Sequence, residues 1–254
     1  MELIDPEYLK YVYEVNKLRV KLAKLITYQD SLRYHIGKSL SIDYMLKIGN
    51  LEYELLRTQV EIEKNKRMLE LAKNKNINLK EIETIVNKEF LEEDCKTTLM
   101  GEAVERAIND SQERILSEEE LIEINSYYMP LVRDLCPKIN RNLLDEEIIL
   151  FDTIREKYIS GNIEEMKKFQ RFKKNELYFD ELNVYKKERI RLMNLVTRIS
   201  EENILIKDSY PYTEKQELLD ENRLRRRKDA INREIEKQKI LLKELEKEVN
   251  ELKK

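Results

Sequence analysis

The feature that most constrains this chain is the recurrence of apolar residues every three or four positions, with few residues that stop a helix. Only 4 glycines and 4 prolines occur in 254 residues, so tight turns and irregular loops must be few. Charged residues make up 39% of the sequence, which leaves each helix only a narrow apolar stripe to bury. The pattern predicts an all-α fold of long helices that pair as coiled coils.

Residues 1–77 are predicted to form a long antiparallel helical hairpin. The seam of the first helix, with polar Gln29 on the same line, contains Val15, Leu18, Leu22, Leu25 and Leu32. The seam of the second contains Leu51, Leu55, Thr58, Ile62, Asn65, Leu69 and Ala72. Residues 37–41 include a glycine and two serines and are expected to turn the chain. Helices joined by a short turn usually pack antiparallel, so a hairpin follows.

Capping signals divide the middle of the chain. Asn78 with a glutamate three residues later predicts a connecting helix over 78–116, which the weak stretch 96–101 could interrupt. Ser117 followed by Glu120 predicts another helix start. Pro130 falls inside that helix and should kink or split it.

A loop and further helices follow in the segment 117–172. An amphipathic helix is predicted over 145–160, and Gly161 fits the left-handed position that ends it. Asn162 with Glu165 then caps the next helix.

The segment 173–254 is predicted to hold a helix over about 176–206 and a long C-terminal coiled-coil helix that begins near Thr213. The predicted interface of this last helix consists of Leu224, Ile231, Ile235, Leu242, Leu245, Val249 and Leu252. A single rod cannot bury its own apolar stripe. We therefore expect it to pair with another helix of the chain or to form a homo-oligomer.

Charge and cysteine content exclude several classes of protein. The net charge of −3 argues against a general nucleic-acid or membrane-surface binder, which would carry a basic excess. The sequence lacks an apolar run of about 18 residues, and its acidic N-terminus does not resemble a secretory signal. Cys95 and Cys136 lie too far apart for a zinc knuckle or a disulfide framework. These features predict a cytoplasmic protein without membrane attachment.

No catalytic constellation is predicted. The single histidine, His35, is expected to be a capping or half-buried structural residue. The glycines are isolated, which excludes phosphate-binding loops. The acidic run Glu118–Glu120 fits a solvated helix start better than a metal site. The sequence therefore predicts a protein that is not an enzyme and has no cofactor or metal, with a metal-dependent enzyme as an alternative.

A basic stretch near the C-terminus could contact polyanions. It consists of Arg223, Arg225, Arg226, Arg227 and Lys228. On a helix these side chains point in several directions, and acidic residues flank them, so a salt-bridged outer face is favoured. A nucleic-acid-associated coiled-coil protein that uses this stretch is the alternative.

The segment 117–172 contains an ordered set of aromatic, apolar, loop and cap residues, namely Tyr128, Leu131, Leu135, Cys136, Pro137, Lys138, Asn140, Phe151, Ile154, Lys157, Tyr158, Gly161 and Asn162. In order and spacing they resemble a J domain, the helical hairpin of DnaJ-type co-chaperones. The wider chain is similar to uncharacterised DnaJ-like proteins of Firmicutes. That similarity is carried by Tyr34-His35-Ile36, Tyr44-Met45-Leu46 and residues 49–53.

The resemblance implies a docking loop whose signature is degenerate. Where J domains have His-Pro-Asp, this chain has Cys136-Pro137-Lys138. A thiol cannot replace imidazole, and lysine reverses the charge of the aspartate. The resemblance thus implies a non-catalytic scaffold or adaptor that acts by protein–protein interaction and does not stimulate a DnaK-type ATPase. An active DnaJ-type co-chaperone is a second alternative. The implied docking residues are Tyr128, Arg133, Cys136, Pro137, Lys138 and Asn140.

Overall fold

The computed structural model of the chain describes residues 5–73, 78–170, 172 and 181–252. The helices are α1 (Pro6–Ser31), α2 (Gly37–Tyr44), α3 (Asn50–Ala72), α4 (Leu79–Glu89), α5 (Leu91–Asp110), α6 (Glu118–Leu135), α7 (Asp145–Ile159), α8 (Ile163–Phe169), α9 (Leu182–Lys207), α10 (Lys215–Leu219) and α11 (Glu221–Leu252). These described ranges contain helices and turns but no β-strand. The prediction of an all-α fold with long helices is confirmed.

The chain divides into two compact units. Unit 1 comprises residues 1–40 and 114–213, and unit 2 comprises residues 41–113 and 214–254. Each unit combines two stretches that are distant in sequence. The four consecutive segments expected from the sequence are regrouped in this division, because helices pair with partners far along the chain.

The predicted turn at residues 37–41 is wrong. Helical structure continues from α1 through a π-helical segment (Leu32–Ile36), α2, a second π-helical segment (Met45–Gly49) and α3. One glycine weakens a helix by only about 1 kcal/mol, and no proline or side-chain cap stops the helix here. The predicted antiparallel hairpin of residues 1–77 is therefore wrong too, and α1 and α3 pack on helices from later in the sequence.

Gly37 is explained by a close approach of backbone atoms. A Cβ atom at this position would lie 2.6 Å from the carbonyl oxygen of Leu32. That oxygen already accepts a hydrogen bond from the Tyr212 hydroxyl at 2.6 Å. The glycine thus leaves room for a hydrogen-bonded carbonyl beside the π-helical turn.

In unit 1, α1 packs along α9 and on α6, and α7 and α8 pack on α6. α1 and α9 run in the same direction, because Tyr8 contacts the Tyr185 ring near their N-terminal ends. Near the other end, the Asn203 side chain donates to the carbonyl oxygen of Leu25. The apolar seam predicted for α1 faces this core, where Val15 and Leu22 are buried and Leu18 and Leu25 pack against the buried residues.

In unit 2, α3 packs against α11, α5 and α4. α3 and α5 are antiparallel: Lys64 pairs with Asp94, and Tyr53 lies beside Gly101 further along α5. The stretch 96–101 does not interrupt α5, because Gly101 is accommodated under the Tyr53 ring. The break falls earlier instead, at Phe90 between α4 and α5.

Other helix ends follow the local signals closely. Asn78 and Ser117 form complete capping boxes, and Gly161 has a φ of 68° at the left-handed position after α7. Pro130 does not split α6, which continues to Leu135, and its ring lies on the exposed face of the helix.

The last helix begins later than expected. A 3₁₀ turn (Tyr212–Glu214) and the short α10 precede it, and the Asp220 carboxylate accepts from the first amides of α11. The expected start of the preceding helix near residue 176 lies outside the described residues.

Candidate docking loop between α6 and α7

α6 and α7 form an antiparallel hairpin whose connecting loop, residues 136–144, matches the docking loop of the resemblance. The Tyr128 ring stacks on Tyr158 with ring centroids 4.0 Å apart and lies parallel to Phe151 at 6.4 Å. The Tyr158 hydroxyl donates to the Asn125 side-chain oxygen at 2.8 Å. Early residues of α6 therefore face late residues of α7, as a hairpin requires.

The first residues of the loop form a hydrogen-bonded turn. The carbonyl oxygen of Cys136 accepts from the amides of Ile139 at 3.0 Å and Asn140 at 2.9 Å. The Asn140 side-chain amide donates to the Arg133 carbonyl at the end of α6, also at 2.9 Å. Asparagine suits this position because its short amide can bond to nearby backbone groups. These bonds fix the loop onto the end of α6.

Two arginines from other helices hold the loop. The Arg19 guanidinium of α1 donates to the Asn140 side-chain oxygen at 2.6 Å. From α9, Arg191 donates to the carbonyl oxygens of Lys138 at 2.9 Å and Ile139 at 2.6 Å. Charged donors make stronger hydrogen bonds than neutral ones, so the loop is held from two sides.

Three of the predicted docking residues are buried. Tyr128, Cys136 and Asn140 expose 0%, 3% and 3% of their surface, so they support the loop and cannot contact a partner in this structure. Burial raises the pKa of the Cys136 thiol, which keeps it protonated and unreactive at neutral pH.

The other three predicted docking residues reach the surface. Arg133 is exposed but forms a two-point ion pair with Asp134 beside it. Pro137 and Lys138 are exposed at the tip of the loop. The outward part of the loop is therefore Pro137-Lys138 rather than the whole predicted set.

A groove lies beside this tip, which we call the basic groove. Its volume is about 430 Å³. Its lining residues come from the loop and from α9, and they are Pro137, Lys138, Arg141, Arg191, Asn194, Leu195 and Arg198. Four of the seven are cationic and none is acidic. Sequence reasoning missed the contribution of α9, because nothing in the sequence indicates that residues 191–198 lie next to residues 137–141.

A buried polar network, also missed, lies in the core of unit 1. The Tyr128 hydroxyl donates to Asp30 at 2.9 Å, and Arg155 donates to Asp30 at 3.5 Å and to the Tyr34 hydroxyl at 2.9 Å. Asp30 is only 4% exposed. Burial raises the pKa of its carboxyl group, and the positive charge of Arg155 opposes that effect.

A second buried polar group lies next to it, around Ser31 and beside His35. The Ser31 hydroxyl lies 2.8 Å from the Tyr158 hydroxyl and 3.0 Å from the Asn125 side-chain oxygen. The His35 ring meets Tyr158 edge-to-face at 4.8 Å, and burial lowers the pKa of His35, so the imidazole is neutral at pH 7. Within each of the two groups the hydroxyls bond to other buried polar side chains, which is the arrangement of a structural network.

One sequence signal could have revealed this network. Gln29, Asp30 and Ser31 are three consecutive polar residues inside an otherwise apolar seam, and all three are buried. Such a run in a buried helix requires polar partners from neighbouring helices. Those partners lie about a hundred residues or more along the chain, which is why they could not be named.

The basic stretch of α11 is largely engaged within unit 2. Arg227 contacts the carboxylates of Glu52, Glu214 and Glu217 and donates to the Tyr44 hydroxyl at 3.0 Å. We call these residues the Arg227 cluster.

The other cations of this stretch lie nearer the solvent. Arg223 pairs with Asp220 at 3.2 Å, and Arg225 lies 4.0 Å from Asp229. Arg226 is exposed and Lys228 is half-buried. The stretch therefore acts mainly inside unit 2, as a salt-bridged helix face would.

The predicted coiled-coil interface of α11 faces α3 of the same chain. Ile235 and Val249 are buried, and Leu252 is 41% exposed. The half-buried members are Leu224, Ile231, Leu242 and Leu245. The two helices are parallel, since Lys239 pairs with Glu54 while Val249, later in α11, lines one groove with Asn65, later in α3. The seam thus has a partner in cis.

In the described ranges, no three His, Cys, Asp or Glu side chains are grouped so that they could hold a metal ion. No helix in the described part of the chain has the length and apolar character needed to cross a bilayer. Comparison with protein-family models, with curated proteins and with solved structures finds no match.

Proposed function

We propose that this chain is a cytoplasmic, non-catalytic, J-domain-like scaffold or adaptor that acts through protein–protein contacts at the loop between α6 and α7. The observation that carries the proposal is that the loop is held by Arg19 and Arg191 while Pro137 and Lys138 point to solvent. A loop fixed before binding loses little conformational entropy when a partner arrives.

The chemistry of the loop supports docking without ATPase stimulation. Cys136 is buried and its pKa is raised, so it offers a partner neither an imidazole nor a thiolate. Lys138 presents a positive charge where the resemblance calls for an aspartate, and a basic docking surface on a DnaK-type chaperone would repel it. The first turn of α6 is acidic as well, with Glu118, Glu119 and Glu120.

The ATPase part is tested with the full chain and a purified bacterial DnaK-type chaperone in single-turnover ATP hydrolysis. We expect no stimulation above the rate of the chaperone alone. An authentic J-domain protein serves as the positive control. Several-fold stimulation by this chain would instead establish an active co-chaperone.

The docking part is tested by photo-crosslinking in cells that produce the protein. p-Benzoylphenylalanine is placed at Lys138, and at Ile122 as the control, which is 70% exposed at the far end of α6. We expect a discrete protein adduct from position 138 and none from position 122. Equal adducts at both positions, or none at 138, would contradict docking through the loop.

A further inference from the structure

We propose that the basic groove binds an acidic segment of a partner protein. This inference rests on the proposed function and deepens it, because it names the chemistry of the partner that the loop would contact. The groove combines the loop tip, through Pro137 and Lys138, with the adjacent face of α9. It therefore extends the docking surface beyond the residues that the sequence indicates.

The charge balance of the groove favours an acidic ligand. Arg191 shares its charge with Glu188 at 2.8 Å, and Arg198 has Glu202 at 3.7 Å. Lys138 and Arg141 are exposed, and neither forms an ion pair with any residue in the part of the chain that the structure describes. Two positive charges thus remain uncompensated on one side of a protein whose net charge is −3.

The rigidity of the groove also favours the binding of carboxylates. Arg191 is oriented by the carbonyl oxygens of Lys138 and Ile139 and by Glu188, so its position is fixed before any ligand arrives. The loop beneath is held through Asn140 and Arg19. Pre-organised cations bind carboxylates with a smaller entropic cost than flexible ones.

The composition of the groove favours a peptide over a nucleic acid. Asn194 is exposed and can bond to a peptide backbone, while Pro137 adds exposed apolar surface. A volume of about 430 Å³ falls within the range of about 300–1,000 Å³ of ligand-sized pockets. Nucleic-acid binding usually rests on several phosphate contacts spread along a backbone, and two uncompensated cations do not supply them.

The experiment measures fluorescence anisotropy of a fluorescein-labelled hexaglutamate peptide titrated with the full chain in about 0.1 M salt. A hexaglutamine peptide controls for the backbone and the dye. We expect hexaglutamate to bind, hexaglutamine not to bind, and the double variant Lys138→Glu/Arg141→Glu to weaken hexaglutamate binding by about tenfold or more. Both side chains are exposed, so the variant should fold, which circular dichroism checks.

The matched control is Lys243→Glu/Lys247→Glu in α11, which changes the net charge by the same amount at two exposed positions outside the groove and outside the basic stretch. We expect this variant to bind hexaglutamate within about twofold of the unmodified protein, because it removes no side chain of the groove and salt at about 0.1 M weakens attraction to net charge alone. Equal losses in the two variants would show non-specific attraction and overturn the inference. So would the absence of hexaglutamate binding.

A labelled oligothymidine tests whether the groove binds a nucleic acid instead of an acidic peptide. If it bound more tightly than hexaglutamate and lost affinity in Lys138→Glu/Arg141→Glu, the groove would be a nucleic-acid site and the inference would be wrong. The proposed function fails separately. An adduct at position 138 without hexaglutamate binding would support docking through the loop and refute the acidic partner. The absence of both the adduct and hexaglutamate binding would refute both proposals.

Discussion

The two units of the chain are built from similar amphipathic helices, and both join helices through surface ion pairs, as Lys186 with Glu7 does in unit 1, but unit 1 adds bonds between buried side chains. In unit 1, buried side chains bond across helices, as in the contact of Tyr128 with Asp30. In unit 2, the contacts between helices include ion pairs at the rim, such as Lys64 with Asp94 and the Arg227 cluster. Buried polar contacts require an accurate geometry, whereas ion pairs near the surface tolerate changes in the distance and angle between their groups. The loop with the basic groove belongs to unit 1, where buried polar contacts fix the positions of the helices more exactly.

Among the substitutions that test this comparison, Tyr128→Ala in unit 1 is expected to lower the unfolding free energy most. The substitution removes a ring that stacks on Tyr158 and lies parallel to Phe151, and it leaves Asp30 buried without its hydroxyl donor. Removal of a buried aromatic residue costs about 3–5 kcal/mol of unfolding free energy. Urea denaturation measures it, with Tyr13→Ala, at a 67% exposed tyrosine, as the control. A loss comparable with that of the control would refute the central role of this ring.

Two glycines give a second contrast. Gly37→Ala should destabilise the protein by about 1–3 kcal/mol, because the new methyl group would overlap the Leu32 carbonyl oxygen, which cannot move freely. At Gly49 the nearest atom is the flexible Met45 side chain, so Gly49→Ala should be neutral or stabilise by up to about 1 kcal/mol. Thermal unfolding of both variants measures the difference. Equal effects would show that the backbone contact at Gly37 is unimportant.

A smaller effect is expected in unit 2 from Arg227→Ala. The substitution leaves three carboxylates close together without their common cation. Because the arginine is partly exposed, water screens part of this repulsion, and we expect a loss of about 1–2 kcal/mol. Arg226→Ala is the matched control on the same helix and should leave the denaturation midpoint unchanged. If both variants behaved alike, the cluster would contribute nothing to stability.

The smallest effect is a pH dependence that is specific to His35. Burial holds the pKa of this imidazole below 6.5, so near that pH the unfolded chain binds a proton that the folded chain does not. The unfolding free energy should therefore fall as the pH drops through 6.5, by at most about 1.4 kcal/mol per pH unit. His35→Phe keeps a ring against Tyr158 and should remove this part of the slope. An unchanged slope in urea denaturation between pH 7.5 and 5.5 would refute the assignment.

Local features of the fold were predictable, and pairing of distant segments was not. The starts of α4 and α6 could be predicted from Asn78 and Ser117, because a capping side chain bonds to amides within three residues. The turn at residues 37–41 was predicted wrongly, since Gly37 meets a carbonyl brought into place by a π-helical turn and Tyr212. Periodicity identifies which face of a helix is buried, but it does not identify the helix that packs against that face.

The same limit applies to the candidate site. The resemblance indicated the loop through Cys136, Pro137 and Lys138, and the structure places the last two at the surface. The groove also needs Arg191 and Arg198, which lie more than 50 residues further along the chain. Asp30 was missed because a charge in an apolar seam is unfavourable until Tyr128 and Arg155 are next to it.

The parallel pairing of α1 with α9 has a consequence for biosynthesis. About 150 residues separate the end of α1 from the start of α9. At ribosomal speeds of about 5–20 residues per second, α1 waits roughly 10–30 s for that partner to be synthesised. During this interval the part of its apolar stripe that α9 will cover is in contact with water. Folding must also close a long loop, so this protein should acquire its native structure late and slowly for an all-helical chain.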